Sequence, residues 1–493
     1  MFLTRNMRVP TFIDSPPILS VIKDLWGVFH PTNKQATIQA GYRNADNGKF
    51  DNEGVIAYLW SSSPNGDDNA QYVYLHQDND SANDNWNDRG HGFLVRPFLA
   101  KRYLSHSTMT SLTDLFLAYF DCRKNKRNKL GALAFEFEYE SHLIELYQEI
   151  TERRYIIRPS TAFIVRDPVK REIFAADFRD RIVHHLIALR FIPLLERVFI
   201  HDNYAGREGK WTLFGIQRTK QFLRACSKNY TRDCYILKLD IEGFFMSIDK
   251  AILSKKSDDL IQRYFQDDEQ KMLLYLTNLI ISNNPTNHCM IKWNRYDWVG
   301  LPKTKSLFFS EPNTGLPIGN LTSQIFANLY LHELDVFIKK ELKIRYYGRY
   351  VDDFILIHED KEYLKSVVGK IRKFLLYRLN LRLHPKKIYL QHYSKGVKFL
   401  WAYIKPHRTY ILNRTKGNFY SMIQEINTLL DNTETLSKSE TDRILSQINS
   451  YLGLFWHHNN YRLRKRMLQE KFSDKFWKYF LVDDEYKKIF KLS

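Results

Sequence analysis

The sequence predicts an α+β protein: a basic body of mixed helices and strands that follows an Asn-rich leader of different character. Apolar residues recur at helical spacing in segments such as "HLIELYQEITERRY", residues 142–155. Runs of β-branched and aromatic residues, as in "IRYYGRYVDDFILIHED", residues 344–360, read as strands. Charge is divided unevenly: residues 1–100 hold 8 Lys and Arg against 11 Asp and Glu, whereas residues 101–493 hold 66 against 44. At 493 residues, with 44% hydrophobic and 15% aromatic side chains, the chain has material for two or three packed domains.

Residues 41–92 carry nine Asn among many Asp, Gly and Ser, with scattered Trp and Tyr. The composition shifts near residue 100, which divides the chain into a leader over 1–100, a mixed region over 101–395 and a C-terminal region over 396–493. Helices are expected at 178–199, 324–342, 361–379, 417–431 and 440–452, and strands at 234–241, 351–357 and 397–404. A body this basic suits a polyanionic partner, nucleic acid foremost, with an acidic protein or a membrane surface as the alternatives that charge alone leaves. The four cysteines, Cys122, Cys226, Cys234 and Cys289, fall at no zinc-like or disulfide-framework spacing. No apolar run is long enough to span a membrane and no apolar signal core opens the chain, so a reducing cytoplasm is the expected location.

Two acidic sites stand out. Asp352 and Asp353 interrupt a strand-like run; taken alone they read as the tip of an ordinary hairpin at Val351-Asp352, and taken as ligands they suit hard cations, which favour oxygen donors. Upstream, "CYILKLDIEGFFMSID" is an apolar strand that ends at Asp240, a position equally suited to a cap or turn. Together, an acid closing one strand and an acid pair on a hairpin can converge on two divalent ions. Side-chain alternation along the hairpin sends Asp352 and Asp353 to opposite faces, so one of them, expected to be Asp352, meets Asp240 directly. Between the two sites, "TGLPIGNLTSQIFANLYLHELD" combines a tight Gly-Pro loop with an amphipathic helix that opens at Ser323-Gln324.

Three such elements in this order resemble the reverse transcriptases. "LKLDIEGFF" is similar to that family's first palm motif, "GLPIGNLTSQ" to its templating-base motif and "YVDD" to its catalytic hairpin, with the likeness extending over roughly residues 109–465. The resemblance implies a right-hand polymerase of fingers, palm and thumb with a poorly folded or partial N-terminal leader. It makes Asp240, Asp352 and Asp353 metal-binding carboxylates, with Ile241 counted beside them at the metal, for two Mg²⁺ ions that Mn²⁺ can replace. Phe245 is then the bulky residue that excludes a 2′-hydroxyl from the incoming dNTP. By the same likeness Lys170 and Arg171 face the triphosphate, with Gly319 and Gln324 also at the nucleotide. Arg207 and Lys210, in the Gly-containing loop "NYAGREGKWT", contact template or nucleotide phosphates, and Ile318 and Ser323 lie against nucleic acid. Lys387 is the expected proton donor to the pyrophosphate leaving group, with Lys386 adjacent as the alternative. Lys405, His407 and Arg408 resemble a primer grip, and "YRLRKRM" belongs to a thumb.

The form Ile318-Gly319-Asn320-Leu321-Thr322-Ser323-Gln324 is similar to that of diversity-generating retroelements. That family copies a template-repeat RNA into cDNA, misincorporates opposite adenines and returns the product to a variable gene. The leader's "AYLWSSSP" and "RGHGFLVRP" resemble the end of a C-type-lectin-like variable protein, and Asn codons begin with two adenines. Residues 1 to about 100 are therefore expected to be a translated template repeat, with Met109 as the natural start and an Asn-rich sugar-binding appendage as the alternative. The likeness also implies a small, basic, helical accessory protein, oligomeric in form. Trp211 and Trp401 depart from the pattern, standing where glycine is expected. No RNase H-like or endonuclease segment is expected after the thumb. The rival readings are an intron-, retron- or phage-defence-type reverse transcriptase and a catalytically inactive RNA-binding protein.

Overall fold

The computed structural model describes residues 111–492 apart from Asn125, Arg127, Asn128, Asp167, Pro168 and Asn459, together with the backbone of six strands between Ala40 and Phe93. Those six strands pair mainly antiparallel, five in one path with the sixth, Gly92–Phe93, added beside Ala40–Arg43. The remainder of the leader, including Met109 and the quoted "RGH", lies outside the described residues. No described helix is long and apolar enough to cross a membrane.

The chain divides into two compact units. The first comprises residues 1–156, 178–186 and 265–276. Its described core pairs the helices Leu112–Arg123 and Tyr139–Thr151 through buried Leu115, Ala118, Leu143 and Leu146. A capping box closes the first helix: Ser111 Oγ accepts from the Asp114 N–H while the Asp114 carboxylate accepts from the Ser111 N–H.

The second unit comprises residues 157–177, 187–264 and 277–493 and contains every candidate site residue. At its centre is a four-stranded antiparallel sheet in the order Tyr346–Tyr350, Asp353–His358, Tyr235–Asp240, Tyr389–His392. The apolar strands predicted around 234–241 and 351–357 form its two middle members. Burial on both faces explains their nearly continuous apolar sequence: Leu237, Leu239, Phe354, Ile355, Leu356 and Ile357 are all fully buried. The helix predicted at 324–342 runs from Leu321 to Val336 and then loosens into one π turn, Phe337–Glu341. The helices expected at 361–379, 417–431 and 440–452 occupy Lys361–Leu379, Asn413–Asn432 and Lys438–Trp456.

The segment expected to be one strand at 397–404 is two. Val397–Phe399 and Ala402–Ile404 pair antiparallel across a two-residue turn, and Thr409–Ile411 adds a third strand. Leu400 and Trp401 sit at φ 50° and 70°, so both turn residues occupy the left-handed region that Asn-Gly normally fills. Burial of Leu400 among Ile216, Phe222 and Val397 offsets that strain, and an apolar turn pair carries none of the usual turn signal. Beyond it, the last helices and the Phe480–Val482 and Ile489–Lys491 hairpin share one apolar core around Phe419, Phe455 and Phe476.

Candidate active site

The hairpin tip and the site are the same feature. Tyr350 pairs with Asp353, which leaves Val351 and Asp352 as a two-residue turn. Val351 has φ 56°, a conformation that costs a β-branched residue of the order of 1–3 kcal/mol and persists only where the surroundings enforce it. The enforcing group is Arg349. Its Nη1 donates to the Val351 carbonyl at 3.0 Å, while Nε and Nη2 hold both oxygens of Asp335 at 2.7 and 2.6 Å. Both side chains of this pair are 0% exposed, and Tyr347 O–H donates to Asp335 at 2.6 Å. Below, the Arg349 N–H and C=O bond to Asp202 and Tyr204, so the loop 202–204 backs the strand.

The register sets Asp353 directly opposite Asp240, and directly opposed residues of an antiparallel pair project on one face. Asp353, and not Asp352 as expected, is therefore Asp240's ladder partner. Asp352 still reaches Asp240, because a turn residue is released from strand alternation. Its carbonyl accepts from Ile241 N–H at 3.3 Å, and its carboxyl is pushed up to about 6, first by burial and then by the Asp240 charge. Asp353 is pushed up to about 7, chiefly by burial, against the opposing pull of Lys238.

Two lysines supply positive charge. Lys387 Nζ lies 2.8 Å from Asp240 Oδ1, and Lys238 Nζ lies 3.0 Å from Asp353 Oδ2. Lys238 was missed at the sequence level, although the period of two places it on Asp240's face. Arg349 and Asp335 were missed as well, since no sequence signal joins two residues that meet only in the fold.

Among the described residues no three His, Cys, Asp or Glu side chains are gathered closely enough to form a ready-made metal cluster. The donor chemistry nevertheless fits a divalent cation. Asp353 Oδ1 is buried without a hydrogen-bond partner, and burial raises both the Asp352 and the Asp353 carboxyl, a cost that a cation held between them would offset. Asp240, Asp352 and Asp353 are the residues that would hold it. Ile241, named with them, is buried beside Leu383, and its described hydrogen bond is the one from its N–H.

Residues 318–320 meet the strand Arg171–Ala175 and the residue after it. The Phe174 N–H donates to the Ile318 carbonyl at 2.9 Å and the Ala176 N–H to Asn320 Oδ1 at 3.2 Å. Gly319 has φ 127°, and a Cβ there would stand 2.8 Å from the Ile173 side chain, so glycine is required on both counts. Phe245 and Ile318 pack against one cluster that contains Ala162, Phe174, Met246 and Leu307. Arg171 is exposed, and its charge reaches Asp352. Lys170 donates to the Val299 carbonyl at 2.7 Å. Ser323 is buried in the first turn of its helix; Gln324 is exposed beside Gly206.

Arg207 corrects an expectation. It is buried, holds Glu196 through two bonds of 2.8 and 2.7 Å, and also donates to the carbonyls of Ile200 and Asn203. A guanidinium so fully engaged braces the loop and does not offer itself to a phosphate. Lys210 donates to the His201 carbonyl, and Trp211 is largely exposed as the residue that caps the following helix. Lys405 and Arg408 close the tight turn after Ile404; His407 lies edge-on to Tyr230 in a cleft of about 510 Å³ lined also by Lys220 and Arg224.

Residues 170–402, just under half of the chain, match the family model described as Reverse transcriptase (RNA-dependent DNA polymerase). That matching segment contains Asp240, Asp352 and Asp353, and its similarity is to reverse transcriptases. No characterised protein matches the sequence at a significant level. Among solved structures, apo telomerase from Candida tropicalis truncated from its C-terminal domain aligns at 14% identity and a TM-score of 0.38, over 54% of this chain and 59% of that one. Telomerase from the same organism in complex with a TWJ fragment of telomeric RNA aligns at 13% and 0.38, over 68% and 60%. The chain thus spans about three fifths of each of these structures, and at such scores they carry no argument about function.

Proposed function

We propose that this protein extends a nucleic-acid 3′-end with dNTPs along an RNA template. The observation that carries the reading is the placement of Asp240, Asp352 and Asp353 at one end of the central sheet, with Asp353 directly opposite Asp240 and the Val351-Asp352 turn held by the buried Arg349. Asp240, Asp352 and Asp353 would hold two Mg²⁺ ions, or Mn²⁺ in their place, whose chemistry would be activation of the attacking hydroxyl and neutralisation of charge on the leaving group. The chain's own contribution is positioning and fixed charge. On this reading Arg171 would face the triphosphate, Phe245 would wall the sugar, and Lys387, 2.8 Å from Asp240, would supply a proton to pyrophosphate.

The finer reading is a mutagenic one, in which a template-repeat RNA is copied with errors concentrated opposite adenines, assisted by a basic helical accessory protein. What supports it is Ile318: this β-branched residue packs against the same cluster as Phe245, so it shapes the wall that a templating base would meet. The test is cDNA synthesis on a template-repeat RNA by the wild type and Asp352→Ala, with the products sequenced. Asp352-dependent products with substitutions opposite adenines support both levels. Faithful Asp352-dependent products keep the polymerase and reject the mutagenic reading. Products that persist in Asp352→Ala reject the assigned site.

A further inference from the structure

The segment from Met290 to Phe309 has no role in the chemistry above, yet its composition and anchoring are unlike an ordinary surface loop. Trp293, Tyr296 and Phe309 are 66%, 79% and 59% exposed. Lys292, Arg295, Lys303 and Lys305 interleave with them, and two of these cations lie over rings of the segment: Lys292 over Trp293 at 5.1 Å and Lys303 over Phe309 at 5.3 Å. Its single acid, Asp297, is engaged by Arg166 at 2.6 Å. Trp293 sits at φ 70°, which a bulky residue adopts only at a cost, and its ring still faces solvent.

The segment is also fixed in place. Met290–Ile291 pairs with Thr161–Ala162, and buried Glu172 accepts from Trp298 Nε1, Ser306 Oγ and the Leu307 N–H at 2.5–2.6 Å. Glu172 adjoins Arg171; Phe174 of the same strand bonds to Ile318, and Ala176, just past the strand, bonds to Asn320. The aromatic and basic segment is therefore tied to the strand that supports the templating motif.

We propose that residues 290–309 bind single-stranded RNA and hold the uncopied, 5′-side template as it approaches the templating position. Exposed rings provide stacking surfaces that tolerate any base, and interleaved cations track the phosphates between them. This rests on the polymerase reading, but it is tested by binding alone, so failure of synthesis and failure of this proposal are distinguishable.

The experiment is fluorescence anisotropy with the full chain and two primer–template duplexes, one with a long single-stranded 5′ RNA extension and one with a single unpaired template nucleotide. Trp293→Ala with Phe309→Ala should weaken binding of the extended duplex by roughly 10- to 100-fold or more and leave the short one unchanged. Lys303→Glu with Lys305→Glu should reduce the salt dependence of extended-duplex binding, by roughly 1.4 in logarithmic slope. Both pairs are surface changes, so the unfolding midpoint should hold. Equal loss on both duplexes, or no loss on either, overturns the proposal. Unchanged RNA binding with an altered oligomeric state in light scattering overturns it in favour of a protein contact.

Discussion

The Arg349–Asp335 pair offers a way to separate what holds the fold from what positions the site. Both side chains are wholly buried, so Asp335→Leu alone strands an unpaired guanidinium and frees the Tyr347 hydroxyl. Breaking a buried pair in this way costs about 3–5 kcal/mol, with about 1–3 kcal/mol more for the orphaned hydroxyl. The triple change Arg349→Met, Asp335→Leu, Tyr347→Phe removes the ion pair and its hydroxyl partner together, leaving the Asn328 side-chain oxygen, 3.3 Å from Arg349 Nη1, as the one buried side-chain acceptor to lose its donor, and such replacements are often close to neutral. Urea unfolding should therefore show a large loss for Asp335→Leu and recovery of most of it in the triple variant. Polymerase rate should not recover, because the Val351 carbonyl has still lost its 3.0 Å donor and the strained tip is free to relax. A triple variant that regained wild-type rate together with stability would refute the claim that Arg349 sets the hairpin's conformation.

Three further outcomes follow from the geometry. Asp352 and Asp353 have folded-state values of about 6 and about 7, above those of an unfolded chain, so folding takes up protons between about pH 4 and 7. The melting temperature of the cation-free protein should therefore fall as pH rises through that window, and added Mg²⁺ should restore it increasingly toward pH 8; a Mg²⁺ effect that shrinks with rising pH would contradict this. Glu172→Gln puts an amide donor among three donors, which should destabilise the protein by about 2 kcal/mol and make the 290–309 segment cleave faster in limited proteolysis. Trp401→Gly removes a non-glycine residue from φ 70° at an exposed turn, and calorimetry should show stability raised by up to about 1 kcal/mol.

What could be read in the sequence was whatever depends on local pattern. The two middle strands, the hairpin tip and the long amphipathic helices each announce themselves through period or composition, and the acids stand out because they interrupt apolar runs. Three features were illegible for one reason: their partners are distant in sequence. Arg207 looks like a phosphate ligand until Glu196 is seen beside it, and Asp335 looks like a surface acid until Arg349 is. The choice between Asp352 and Asp353 turned on register, which alternation within one strand cannot supply. The 397–404 segment misled differently, because Leu400-Trp401 is a turn built from residues that turns rarely use.

The most direct measurement is single-turnover extension of a primer on an RNA template by the wild type and by Asp240→Asn, Asp352→Asn and Asp353→Asn, across a Mg²⁺ titration. Wild-type product should rise with Mg²⁺, and each variant should lose roughly a thousandfold or more in rate, the scale of several kcal/mol of charge stabilisation. Any of the three variants extending the primer at near the wild-type rate would contradict a shared carboxylate site.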